Sequence, residues 1–381
     1  MAGIRPKKAV WKGNDLLKES AYFCCIASTI LFTYSATALA PKRASISDIA
    51  QELNLAVSTV SRALSGHSRI SEATRQRVWK LAEQLKYQPN HLAAALRKGR
   101  SNTLGVIVPN IDGHFFALVV KGVEEVANQA GYNVMLCQSN EDNSHEAKNV
   151  ETLMNAQVDG ILVSLSRSTH DFKHFDKAQQ RHMPLVFFDR ILTGSDVSAV
   201  VVDDHQGAYQ MTKHLLEQGR RRIAHFGGPQ HLNIYKDRYQ GYCQALRDAG
   251  QPVEEDLVVL FKDMSIDDGP VGVRHLLALP QRPDAIFSAG DFTAVGALQA
   301  LKKQGLRVPE DLALAGFGNE TFSSLTDPML STVDQHCEEM GGAAVRLLLE
   351  MIQERTRQLS PRKIVLQPKL LKRESSRSQP E

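Results

Sequence analysis

The sequence predicts a small all-α head followed by a two-lobed α/β body built on parallel sheets. Residues 41–100 place apolar side chains at helical spacing only, whereas after Ser101 short apolar strands alternate with amphipathic helices. The charge changes sign at the same boundary: 11 Lys and Arg stand against 4 Asp and Glu in residues 41–100, and 29 against 36 in residues 101–381. A basic head on an acidic body points to a polyanion such as nucleic acid as the partner of the head alone. The hydrophobic content of 43% over 381 residues suffices for two or three packed domains.

Within the head, Ser45-Ile46-Ser47-Asp48 has the form of a capping box, and Ile49, Ala50 and Leu53 follow at helical spacing. Asn54, which tolerates left-handed backbone, stands where a tight turn precedes a second helix over Val57 to Leu64. Ser65 to Ser68 break it. Ser71 then supplies the N-cap of a third helix whose apolar stripe is Val78, Leu81, Ala82 and Leu85. Pro89 interrupts the pattern, and Asn90 to Arg97, with three consecutive alanines, forms one more short helical segment.

In the body the expected strands are Leu104 to Val108, Val134 to Cys137, Gly160 to Leu165, Pro184 to Phe188, Val200 to Val202, Ile223 to Phe226, Ala285 to Ser288 and Leu312 to Phe317. So many βα units call for two lobes, with a break near Asp203. Ligands of such folds sit at the carboxyl ends of parallel strands, in the cleft between lobes. Asp291 follows one strand and opens a helix, where its carboxylate would cap that helix and accept from a ligand hydroxyl. Arg238 lies early in the amphipathic helix after Gly227-Gly228-Pro229, a suitable place for a guanidinium that grips oxygens. Asp189-Arg190 and Asp203 also end strands; Asp189 is read as a ligand contact and Asp203 as structural.

The N-terminus points the other way. Ala21 to Ala40 is an uncharged, largely apolar run behind Lys7, Lys8, Lys12 and Lys18, the layout of an export signal and just long enough to span a bilayer. It runs straight into a basic DNA-binding pattern that has no use outside the cytoplasm. Residues 1–40 are therefore expected to be a non-native or disordered extension, with a membrane anchor and an export signal as the alternatives. The five cysteines, Cys24, Cys25, Cys137, Cys243 and Cys337, show neither a C-x-x-C pair nor zinc spacing and read as free cytosolic thiols.

In the second helix, Val57-Ser58-Thr59-Val60-Ser61-Arg62 sets small and hydrogen-bonding side chains where a helix-turn-helix enters the major groove. Four motifs, Ile46-Ser47-Asp48-Ile49-Ala50, Thr59-Val60-Ser61-Arg62-Ala63-Leu64, Thr74-Arg75 and Tyr87-Gln88-Pro89-Asn90, occur in order. On these the chain resembles the lactose/galactose-repressor (LacI/GalR) family from about Ser45 to Arg373. The resemblance implies a sequence-specific transcriptional regulator, a repressor whose affinity for double-stranded operator DNA is controlled by a sugar or sugar derivative, and a body of the periplasmic-binding-protein-like fold. It implies DNA contacts from Ser47, Val57, Ser58, Thr59, Ser61, Arg62, Asn90, Ala94 and Leu96. Val57 and Ser58 take the base-reading positions, and Leu96 matches a minor-groove wedge. Where the family often has Gly-Val-Ser before this helix, Asn54-Leu55-Ala56 stands here, and that leaves the preferred bases open.

In the body, Gly290-Asp291-Phe292-Thr293-Ala294-Val295-Gly296-Ala297 and Asp237-Arg238-Tyr239-Gln240-Gly241-Tyr242 match the motifs that carry the family's effector-binding acid and arginine. Phe115, Phe116 and Met264 match positions flanking an effector ring, with core packing as the alternative. The expected domains are then 41–88 (helix-turn-helix), 89–102 (hinge helix and linker) and 103–373 (effector binding and dimerisation). Lobe 1 is expected at about 103–203 and 318–332, lobe 2 at about 204–317 and 333–373, and 374–381 as a polar tail. A homodimer is implied, while Leu366 to Arg373 lacks the heptads of a tetramer. No cofactor, metal or membrane partner is expected. Nor is an enzyme: there is no Walker loop or nucleophile elbow, and His145-Glu146-Ala147-Lys148-Asn149 fails the zinc-helix pattern at its fifth residue. An exported sugar-binding protein is the main competitor, and the basic head argues against it.

Overall fold

The computed structural model describes residues 44–87, 100–192, 194–354 and 360–377. The chain divides into two compact units, residues 1–90 and 91–381.

The first unit is a trihelical head of α1 (Ile46–Glu52), α2 (Val57–Leu64) and α3 (Glu72–Gln84). The capping box forms: Ser45 N–H donates to Asp48 Oδ2 at 2.7 Å and Asp48 N–H to Ser45 Oγ at 3.3 Å. Asn54 adopts the left-handed conformation at φ 49°, which turns the chain between α1 and α2. Ser71 caps α3 by accepting from Thr74 N–H. Ile49, Ala50, Val60, Ala63, Val78 and Ala82 bury one face of each helix in a single small core.

The second unit holds two parallel sheets. Lobe 1 has β1 (Thr103–Val108), β2 (Asn133–Gln138), β3 (Gly160–Val163), β4 (Leu185–Phe188), β5 (Ala199–Val202) and β11 (Lys363–Leu366), in the order β11-β5-β4-β3-β1-β2. Its helices are α4 (His114–Gln129), α5 (Asn143–Asn155), α6 (Asp176–Gln180) and α11 (Cys337–Gln353). Lobe 2 has β6 (Ile223–Gly227), β7 (Val258–Leu260), β8 (Ala285–Ser288) and β9 (Ala313–Ala315), in the order β7-β6-β8-β9. Helices α7 (Asp204–Glu217), α8 (Asn233–Asp248), α9 (Asp268–Leu277) and α10 (Asp291–Lys303) cover it. An antiparallel ribbon of β10 (Thr332–Asp334) and β12 (Lys369–Leu371) completes it.

The chain leaves lobe 1 near Asp203, between β5 and α7, and the later segments pack differently from the sequence reading. Segment 318–332 belongs to lobe 2, where Phe322 and Leu330 join the core of β6 and β8. Most of 333–373 belongs to lobe 1: Met340, Ala344, Leu347 and Leu348 of α11 pack with Val106, Val123 and Val186, and β11 pairs with β5. An apolar helical stripe says that a helix packs but not on which sheet, and that is why these boundaries went astray. Residues 374–377 are not a polar tail either. Glu374–Ser376 form a 3-10 turn in which Ser375 and Ser376 are buried, Ser375 bonding Leu314 O and Ser376 bonding His214 and Ser331. Strands β7, β10, β11 and β12 are only partly buried and so lack the continuous apolar run that marks the equally short β3, β4, β5, β8 and β9.

Helices α4 and α11 meet backbone to backbone. A methyl group at Gly122 would stand 2.0 Å from Glu338 O, and one at Gly341 would stand 2.1 Å from Val119 O. Only glycine permits this approach, so Gly122→Ala must force the helices apart. It should destabilise the body by about 1–3 kcal/mol, the usual result of overpacking, seen as a lower midpoint in thermal unfolding. An unchanged midpoint would mean that the crossing yields freely.

Candidate functional site

The expected site residues fall on two surfaces. On the head, the inward positions of α2 are Val60 and Ala63, and their burial leaves Val57, Ser58 and Arg62 exposed at the helix start and along one outer face. Thr59 and Ser61 are half-buried beside that face, and Ser47 is exposed on α1. Val57 is 42% exposed at the start of this face. Asn90, Ala94 and Leu96 lie outside the described residues.

In the body, a cleft of about 310 Å³ opens between the lobes. All six expected effector positions line it: Phe115, Phe116, Asp189, Arg238, Met264 and Asp291. Phe115 and Phe116 come from the first turn of α4, Asp189 follows β4, Arg238 lies in α8, Met264 follows β7, and Asp291 opens α10. Asp189 and Met264 both hold left-handed backbone, φ 57° and 54°, which a non-glycine residue adopts at a cost. Loops strained at a cleft in this way aim side chains that a relaxed loop would not.

Arg238 is 5% exposed and all three of its nitrogens are engaged within the protein. Nε donates to Asp204 Oδ1 at 2.8 Å, Nη1 to Ala289 O at 2.7 Å, and Nη2 to Gln335 Oε1 at 3.0 Å. The guanidinium carbon lies 3.8 Å from the centre of the Phe317 ring. Arg238 thus builds the floor of the cleft. Asp291 does not cap α10, because Gly290 takes the N-cap position. Its Oδ1 accepts from Thr332 Oγ1 at 2.7 Å and its Oδ2 from Glu320 N–H at 2.9 Å. Burial pushes the Asp291 carboxyl up to about 6, against the pull of those two bonds. Asp203 caps α7 through Gln206 N–H, the structural role read for it.

Sequence reasoning missed Glu141, Arg167, Tyr235, Gln335 and Glu320, which share the cleft. Glu141 binds Arg190 Nη1 through both oxygens at 2.9 Å and Arg167 Nη2 at 3.3 Å, and these cations hold its carboxyl below the usual range despite burial. It follows β2 by three residues, the same strand-end signal that singled out Asp189. Glu320 carried the same signal, three residues past the strand expected at Leu312 to Phe317, and reaches the cleft from a turn after β9. Several contacts cross between the lobes: Arg167 Nη1 donates to Asp263 O, His231 Nε2 meets Arg167 O at 2.9 Å, and His114 N–H donates to Glu320 Oε2 at 3.0 Å. Among the described residues there is no cluster of metal-ligating side chains, and no helix is long and apolar enough to cross a membrane.

A helical DNA-reading head on a body with a ligand cleft defines a ligand-responsive DNA-binding regulator, and comparison with known proteins gives the family. Residues 45–90 match the model of bacterial regulatory proteins of the lacI family, and residues 101–374 match that of periplasmic binding proteins and the sugar-binding domain of the LacI family. The chain belongs to the LacI family of transcriptional regulators. It is 34% identical to the transcriptional repressor CytR of Escherichia coli K12 over 81% of this chain and 90% of that one. Identity to the regulator DegA of Bacillus subtilis is 32%, over 88% and 98% of the two chains. The solved complex of the regulator CelR with cellobiose superposes with a TM-score of 0.66 at 31% identity, covering 87% of this chain and all of that one. The lac repressor dimer on its operator superposes at 0.78 with 23% identity, a likeness of fold.

Because the folded state raises the Asp291 pKa above the ordinary carboxylate value, the folded protein binds this proton more tightly than the unfolded chain does. Stability from this group is therefore present at low pH and lost as pH rises from about 4 to about 6. Denaturation of wild type and Asp291→Asn across that range should give a difference that moves against wild type with rising pH, by on the order of 3 kcal/mol at most. A pH-independent difference would contradict the assignment.

Proposed function

We propose that this protein is a cytoplasmic repressor, without catalytic activity, that binds operator DNA as a homodimer and releases or tightens on it when a sugar-like effector fills the interlobe cleft. The observation that carries the reading is convergence: six side chains spread from residue 115 to residue 291 line one cleft. Its mix of phenylalanine faces, guanidinium groups and carboxyls suits a ring bearing hydroxyls. That the related CelR was solved with cellobiose supports the same class of ligand. Ligand and DNA then communicate because each favours one lobe arrangement, and the coupling is reciprocal.

Supporting a homodimer, the edge strands of both sheets expose apolar side chains, Met135 and Leu136 on β2 and Leu260 on β7. Open strand edges with apolar residues call for a cover, and a second copy presents the same surface by symmetry. On the head, Ser58 reads bases and Arg62 neutralises phosphate; Val57, Thr59, Ser61 and Ser47 complete the contact, with Asn90, Ala94 and Leu96 assigned by family resemblance.

Two measurements test the reading. A thermal-shift screen of sugars should find a ligand that alters affinity for operator selected from random DNA, and Asp291→Ala should abolish that response while leaving operator binding intact. A response at unchanged concentration removes Asp291 from the effector site. In the head, Ser58→Ala should reorder the preferred operator sequences, whereas Arg62→Ala should weaken all sequences alike and reduce the salt slope by about one. Equal effects of both variants on both measures would reject the division of roles.

A further inference from the structure

The cleft carries an imbalance of charge. Six carboxylic side chains line it, Asp112, Glu141, Asp189, Asp263, Asp291 and Glu320, against three guanidinium groups, Arg167, Arg190 and Arg238. The guanidinium groups are already engaged: Arg167 and Arg190 share Glu141, Arg190 also lies 3.6 Å from Asp189, and Arg238 pairs with Asp204 behind the wall. What remains facing a ligand is negative. A helix N-terminus at the cleft, that of the 16-residue α4, would ordinarily attract an anion. Here the protein's own carboxylate occupies it: Glu320, 8% exposed, accepts from His114 N–H at 3.0 Å across the cleft, and Phe115 N–H donates to the same group.

We propose that the cleft selects effectors by charge, taking an uncharged polyol and rejecting its phosphorylated and carboxylated derivatives, with Glu320 as the residue that discriminates. An anionic ligand would lose the end of α4 to Glu320 and meet unpaired carboxyls besides, and like charges brought together in a dry site are strongly disfavoured. An uncharged polyol meets no such barrier, because carboxyls accept hydroxyl hydrogens in either orientation. Arg190 complements them. It is 8% exposed, and its charge is offset by Glu141 at Nη1 and by Asp189, whose Oδ2 lies 3.6 Å from Nε.

This inference rests on the cleft being the effector site, and the test separates the two. Calorimetric titration of the full chain compares glucose with glucose 6-phosphate and gluconate, and ribose with ribose 5-phosphate. Any neutral sugar that binds should bind at least about tenfold more tightly than its anionic derivative, and Glu320→Gln or Glu320→Ala should close that gap by about the same factor. An anionic derivative that binds wild type more tightly than its parent overturns the proposal, as does a gap that neither variant changes. If no sugar binds at all, the sugar reading fails on its own, and inorganic phosphate decides the charge question. With 15N-phenylalanine labelling, phosphate should shift the Phe115 amide signal in Glu320→Gln and not in wild type; a shift in wild type overturns the proposal.

Discussion

The body depends on one buried ion pair. Arg238 and Asp204 are 5% and 2% exposed, and a charge so far from water is tolerable only when every polar atom around it is satisfied. The partners that satisfy Arg238 come from four places: Asp204 just past the first crossing between lobes, Ala289 at the end of β8, Gln335 just before the chain returns to lobe 1, and Phe317 beneath the guanidinium. One guanidinium therefore fixes two crossings and the end of a strand with respect to each other. Moving any of them leaves a buried charge exposed to apolar surroundings, and this makes the knot a fixed point about which the lobes are arranged.

Around that fixed point the cleft is assembled from strand ends and helix starts, where backbone groups lack regular partners. Asn233 shows how the gap is bridged: its Oδ1 accepts from Ile191 N–H and its Nδ2 donates to Asp189 O, so a lobe 2 helix start holds a lobe 1 strand end. Asp189 keeps its left-handed backbone because its carbonyl is held this way and its carboxyl accepts from Ser164. The same constraint applies across the cleft, where Glu320 satisfies the start of α4 from the opposite lobe. Contacts that span the lobes are the ones a molecule filling the cleft would strengthen or replace.

Much of this was legible from residue order. Alternation of apolar runs with amphipathic helices gave the two parallel sheets, and Ala285–Ser288 was placed to the residue because a short apolar or small run, Ala285 to Ala289, sits between a proline-containing turn and Gly290. Ser45, Asn54 and Ser71 announced the head's helix boundaries through chemistry that acts over three or four residues. The Asp291 and Arg238 positions were legible too, but not their tasks. Asp291 was expected to cap its helix and instead bonds Thr332 and Glu320; Arg238, expected at a ligand, lines the cleft and also ties Asp204, Ala289 and Gln335 together.

The sequence alone determined what depends on neighbours along the chain: helix starts, turn residues, strand faces, the basic head and acidic body, and the motifs that match the family. Only the tertiary structure decided which sheet receives α11 and β11, that residues 374–376 dock on lobe 2, and that Glu141, Gln335 and Glu320 join Asp189 and Asp291 in one cleft. The reason is that hydrophobic periodicity specifies a buried face without naming its partner, and a carboxylate's role is set by the charges and donors around it in space. Glu320 lies 206 residues from the amide it binds, a separation over which no local pattern carries information.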